Sequence, residues 1–253
     1  MIYVVRHGET DWNLQEKMQG QTDTPLNDTG REQAKAAAAE VAKNNIHHIF
    51  SSDLLRAKET AEIINKELGL EIIFDKRIRE YSFGDLEGRN RKDITPQEWK
   101  EFNIDARQFN AETIQEIYSR VKSFLDEIES KNLGNVLLVT HGGTTKMLLY
   151  CTNHNTLNET EFMQNYMQKE NIGNSSLIKL SGCQGDVAFD TDLCQMLRPR
   201  DTHSSMKSRR RRVRLGLRSL RRAFASICRM RSRVTWNSRP TSSSVLGLAS
   251  SIP

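Results

Sequence analysis

Four cysteines, five prolines and three tryptophans are spread over 253 residues, and aromatic side chains make up only 7% of the chain. Cys151, Cys183, Cys194 and Cys228 show no paired metal-ligand spacing, and three of them fall in the last third. That usage fits a reducing compartment and argues against a cysteine-ligated metal or a disulfide framework. No apolar run approaches the length that crosses a bilayer. Met1 leads straight into strand-like residues, without a basic segment and an apolar cleavage region. No secretory signal is therefore expected, and the expected location is cytoplasmic.

Lysine is scarce in one place only. Residues 1–180 carry 13 lysines and 9 arginines against 28 acidic residues, a balance of −6. Residues 181–253 carry 1 lysine and 14 arginines against 4 acidic residues, a balance of +11. The net charge of +5 thus hides two compositions, and the expected division is a domain over 1–180 and a basic Arg/Ser-rich tail over 181–253. The tail text "SRRRRVRLGLRSLRRAFASICRMRSR" allows contact with nucleic acid or another anionic surface through counterion release. Val213, Leu217, Leu220, Phe224 and Ile227 recur at helical spacing, which also allows an interfacial basic helix. The abrupt change of composition favours a third reading, a disordered or non-native segment.

Over the first 180 residues, strand-like and helix-like patterns alternate. "IYVV" is short and apolar on both faces, as a buried strand should be. "PLNDTGREQAKAAAAEVAKNN" carries an Asn27/Asp28/Thr29 start signal before an alanine-rich helix. "HHIFSSD" predicts a second strand, with Ser52 or Asp53 placed to cap the helix "LLRAKETAEIINKELG" that ends at Gly69. "LEIIFD" predicts a third strand. Residues 81–110 predict loops with a short helix near Pro96–Phe102. "AETIQEIYSRVKSFLDEIESKNLG" places Ile114, Ile117, Val121, Phe124, Leu125 and Ile128 on one helical face. "NVLLVTHGG" predicts a strand, "TTKMLLYCT" a helix and "SSLIKL" the last strand. This alternation predicts an α/β fold, a mostly parallel sheet covered on both faces, with ligands gathered at the carboxyl ends of the strands.

Two histidines sit at such ends. His7 follows "IYVVR" and His141 follows "VLLVT", each before a glycine that would let backbone approach a ligand. Arg6 precedes His7, Arg56 lies in the first turn of a helix after a strand, and Glu80 precedes an aromatic-glycine loop. Two arginines, two histidines and a glutamate suit a phosphate monoester. Guanidinium forks grip phosphate oxygens, and a neutral imidazole can take the phosphoryl group. The bland readings are that Glu9 and Thr10 merely open a helix and that His47, His48, His154 and His203 carry no role.

The segments "RHGETDWN", "QGQTDTPLNDTG", "SSDLLRAKETA", "REYSFGDLEG" and "VTHGG", in this order and spacing, resemble the histidine phosphatase superfamily, also called phosphoglycerate mutase-like. The resemblance covers roughly residues 1–180. It implies a three-layer α/β/α sandwich and a reaction that needs neither a metal nor an organic cofactor. It also implies roles. His7 would become phosphohistidine, and Arg6, Arg56 and His141 would hold the phosphoryl oxygens, with His7 neutral and His141 protonated. Asn13 and the backbone at Gly142 would add hydrogen bonds, and Gln19 and Gly20 would line the pocket edge. Glu80 would protonate the leaving oxygen and later accept a proton from water, kept protonated by acidic neighbours and by the substrate's charge.

The expected substrate is a small phosphorylated metabolite. The compact stretch up to Glu112 and the "SFGDLEG" form resemble bacterial broad-specificity and α-ribazole phosphatases more than mutases. α-Ribazole 5'-phosphate or a sugar phosphate is therefore the expected substrate, with phosphoglycerate mutation or non-catalytic phospholigand binding as alternatives. Arg89, Arg91 and Lys92 are candidates for a second anionic group or for plain solvation. Trp99 and Phe102 would cover a ring-bearing leaving group or only pack the rim. Glu112 stands between a substrate-loop contact and helix N-terminal charge.

Overall fold

The computed structural model describes residues 1–167 and 172–180. The readings for the basic tail, and for His203, fall outside them. Five strands form one sheet: β1 (Ile2–Arg6), β2 (His48–Ser51), β3 (Ile72–Phe74), β4 (Val136–Thr140) and β5 (Leu177–Leu180), in the order β3-β2-β4-β1-β5. The first four run parallel; β5 is antiparallel to β1. Among the described residues no helix is long and apolar enough to cross a membrane.

Alternation of side chains along each strand divides the core into two layers. Tyr3, Val5, Leu137 and Val139 pack against α2 (Asp28–Val41) and α3 (Leu55–Leu68), whose contact faces are mostly alanine. Val4, Val136 and Leu138 pack against α5 (Ile114–Ser130) and α6 (Gly142–Asn153). The expected stripe of α5 is buried through Ile117, Val121, Phe124, Leu125 and Ile128, while Ile114 at its start stays partly exposed. A sheet clothed on both faces is the three-layer α/β/α architecture.

Caps follow the sequence except at one helix. Asn27 accepts from Gly30 N at 2.8 Å, and Gly69 ends α3 at φ +66°. Thr10 caps the short helix α1 (Asp11–Leu14) in a capping box with Asn13, so the helix-opening reading of this turn holds. Thr95 does the same for α4 (Pro96–Ile104), which lies at the expected position. Neither Ser52 nor Asp53 caps α3. Leu54 occupies that position, and Asp23, 32 residues earlier, accepts from Leu55 N at 2.6 Å. Asp53 is held instead by a bidentate pair with Arg79, both contacts 2.6 Å. The short helix α7 (Glu159–Phe162), continued by a π turn over Met163–Met167, has no counterpart among the sequence expectations.

Candidate active site

Strand register brings the two histidines together. Arg6 pairs with Thr140, and His7 N donates to Thr140 O at 2.9 Å. The next residues, His7 and His141, therefore stand side by side with ring centroids 5.2 Å apart. His7 Nδ1 lies 2.7 Å from the Gly8 carbonyl. A carbonyl can only accept, so Nδ1 carries the proton and Nε2 keeps the lone pair. His141 Nε2 lies 2.8 Å from Ser52 Oγ, at the end of β2. Both rings are buried. Burial, with the charges of Arg56 and Arg6, pushes His7 well below its ordinary 6.5. Burial and Arg56 lower His141 in the same way.

A cavity of about 560 Å³ opens beside His7. Arg6, Asn13, Gln19, Gly20, Arg56 and Glu80 line it, as does Gly142. His141 is fully buried and off this wall, reaching the site through its contact with His7. Arg56 anchors the loop that carries Gln19 and Gly20: Nη2 donates to Gly20 O at 2.6 Å and Nη1 to Thr22 O at 2.9 Å. Burial brings its guanidinium down to about 10, which still leaves it charged at neutral pH. Arg6 donates Nη1 to the Ile172 carbonyl. Among the described residues, four buried side-chain N or O atoms have no hydrogen-bond partner, and three are Arg6 Nε, Arg56 Nε and His141 Nδ1. Unpartnered buried donors are costly, and of these residues Arg6 and Arg56 line the cavity beside His7, where an anion could take up their free Nε–H groups.

Glu80 is positioned from several sides. Its carboxylate accepts from Tyr81 N at 3.0 Å, Thr144 N at 3.1 Å and Gly143 N at 3.2 Å. The last two are donors at the start of α6. Its backbone is gripped by Arg120 of α5, which donates to the carbonyls of Arg77 (2.6 Å), Arg79 (2.8 Å) and Glu80 (3.0 Å). Glu112 pairs with Arg120 through Nε at 2.5 Å and Nη2 at 2.9 Å, and accepts from Ser82 N at 3.3 Å. Glu112 thus stands one residue before the N-cap Thr113 of α5 and braces Arg120. Thr144 Oγ1, at 2.6 Å from Arg79 O, closes the frame from the other side.

The glycines separate into different tasks. A Cβ on Gly8 would lie 2.4 Å from Gly30 O, so Gly8 allows two backbones to touch rather than a ligand to approach. A Cβ on Gly142 would meet Arg6 at an ordinary 3.6 Å, whereas one on Gly143 would lie 2.7 Å from Glu80 Oε1. Gly20 sits at φ +52°, in the left-handed region that glycine favours. Several residues of the site escaped the sequence reading. Asn174 donates to His7 O at 3.0 Å and to Asn13 Oδ1 at 3.3 Å, and Ser175 N donates to Arg6 O at 2.9 Å. The "GNSS" run before β5 was the available signal, and it reads as a turn. Of the three rim cations, Arg89 pairs with Glu98 and Lys92 with Glu16, and both Arg91 and Lys92 line the cavity. Among the described residues no group of three or more His, Cys, Asp or Glu is placed to hold a metal ion.

Comparison with known proteins agrees with this geometry. Probable phosphoglycerate mutase GpmB of Escherichia coli is 42% identical over 148 residues, 56% of this chain and 69% of the relative. Phosphoglycerate mutase-like protein 4 of Arabidopsis thaliana is 40% identical over 157 residues, 58% of this chain and 68% of the relative. Among solved structures, a mycobacterial glucosyl-3-phosphoglycerate phosphatase in complex with VO3 superposes with a TM-score of 0.63 at 31% identity, over 71% of this chain and 90% of that one. A phosphoglycerate mutase from Thermus thermophilus gives a TM-score of 0.52 at 28% identity, over 70% and 90%. The family model for the histidine phosphatase superfamily (branch 1) matches residues 2–181. With a family match over most of its length and relatives named both as phosphatases and as mutases, the chain belongs to the histidine phosphatase superfamily.

Proposed function

We propose that this protein hydrolyses small phosphomonoesters through a phosphohistidine formed on His7. The observation that carries the reading is the bond from Nδ1 to the Gly8 carbonyl at 2.7 Å, which leaves Nε2 as an unprotonated nucleophile inside a ring of cationic donors. In the first step Nε2 forms a bond to phosphorus, the bond from phosphorus to the ester oxygen breaks, and Glu80 gives that oxygen its proton. In the second step a water oxygen attacks the phosphohistidine, Glu80 takes a proton back, and inorganic phosphate leaves. Arg6 and Arg56 stabilise charge on the equatorial oxygens, for which positioning and electrostatics supply most of the catalysis. His141 supports the His7 ring from behind, and the bound dianion favours a proton on His141. The Asn13 side chain bonds Thr10 and Asn174 through Oδ1, which leaves its Nδ2 as a donor. No step in this scheme calls for a metal.

Rapid quench of the wild-type protein with a phosphomonoester, followed by mass analysis, is expected to show one phosphoryl group on His7. Turnover should survive EDTA and fall by at least about 10³-fold in His7→Ala. Turnover that persists in His7→Ala overturns the proposal. The mutase alternative is favoured by the relatives' names. It predicts interconversion of phosphoglycerates without release of phosphate, which the same assay distinguishes.

A further inference from the structure

A second cavity, of about 620 Å³, lies beyond the phosphate site. Met18, Phe83, Arg91, Gly143 and Met167 line both, so the two share a wall. Gly143 N is bonded to the Glu80 carboxylate on that wall at 3.2 Å. An ester oxygen protonated by Glu80 must therefore carry its substituent along this boundary. We infer that the second cavity receives the alcohol half of the substrate, and that this alcohol bears an uncharged planar aromatic ring. The inference rests on the phosphomonoesterase reading and adds to it the class of leaving group.

Three features of the lining select such a group. The walls are mostly apolar, with Tyr81, Phe83, Trp99, Phe102, Ile117 and Phe162 prominent. Asn103, Thr113 and Gln115 add a few polar groups to the lining, but a hydroxyl-rich sugar would still lose water against the larger apolar part of the wall. The aromatic side chains are fixed by one another: Tyr81 and Phe83 meet edge to face at 5.0 Å, Trp99 and Phe102 at 5.8 Å, and Tyr81 and Phe102 at 6.2 Å. They present ring faces and edges already placed for a further ring. Met18, Met163 and Met167 add thioethers, which pack well against ring edges. Charge makes no case for an ionised alcohol, because the four charged residues on the lining, Arg91, Arg107, Asp105 and Glu159, balance. A cavity of this volume suits a ring-bearing group and greatly exceeds what glycerate fills.

The test uses three alkyl phosphates whose leaving oxygens are chemically alike: n-propyl, n-hexyl and 3-phenylpropyl phosphate. With the full chain, kcat/KM for the phenylpropyl ester is expected to exceed that for propyl by at least about tenfold, and to exceed hexyl as well. Trp99→Ala, which removes one wall, and Ile114→Trp, which fills the cavity, should each bring the phenylpropyl-to-propyl ratio down towards one. Calorimetric binding of 3-phenylpropylphosphonate against propylphosphonate gives the same comparison without turnover. A wild-type ratio near one in both assays, a hexyl ester as good as the phenylpropyl one, or ratios unmoved by both variants overturns the inference. Preferential binding of the aromatic phosphonate without hydrolysis of any ester supports the cavity assignment and overturns the phosphatase reading instead.

Discussion

His7 and His141 are rings that burial and two neighbouring arginines keep from taking a proton. In the unfolded chain both titrate near the ordinary histidine value, about 6.5. Above that value the rings are neutral whether folded or not, and they add no pH dependence. As pH falls below it, the unfolded chain binds protons that the folded chain refuses, so stability drops until the lowered folded values are reached. Each ring contributes a slope of up to about 1.4 kcal/mol per pH unit in that window. Chemical denaturation at pH 7, 6 and 5 should show this loss, and His7→Asn or His141→Asn should flatten it. A wild-type slope no steeper than that of either variant would contradict the buried neutral assignment. The same chemistry keeps His7, the nucleophile of the proposed mechanism, neutral below the ordinary histidine value.

At the scale of elements, Glu80 lies in an irregular stretch between β3 and α4, and tertiary contacts fix it. Arg120 holds three parts of that stretch by their carbonyls, and Glu112 holds Arg120. Arg120→Lys keeps the charge but loses the planar fork. If Glu80 is the acid of the proposed mechanism, this variant is expected to lower kcat for an alkyl phosphate by about 10–100-fold while changing KM little, because a shifted Glu80 would protonate the leaving oxygen poorly. p-Nitrophenyl phosphate, whose leaving group departs without a proton, should be affected much less. An equal loss on both esters would mean that the variant only loosens the fold. The helix and strand pattern itself was readable: apolar periodicity located α5, and Asn27 and Gly69 announced helix ends. Cap choice at α3 was not readable, because Asp23 reaches Leu55 from 32 residues away. Such a contact leaves no local mark.

The whole chain joins an acidic first part to a strongly basic remainder. Among the described residues β5 ends at Leu180 as an edge strand paired only to β1, and the family match ends at residue 181. Deletion of residues 181–253 is expected to leave the proposed phosphatase activity within about twofold and, if the tail contacts nucleic acid, to remove the retention on DNA that the full chain shows. If activity collapses, the domain extends beyond β5. Sequence alone determined the alternation of strands and helices, the cations and imidazoles at two strand ends, and the family to which they belong. These are legible because periodicity, turn residues and short motifs are local. Only the tertiary structure decided which groups stand together. Parallel register set His7 beside His141, Gly8 turned out to serve Gly30, and Arg120 and Asn174 came from afar to brace the site. Contacts between distant segments depend on how layers pack, and no short stretch of sequence encodes that by itself.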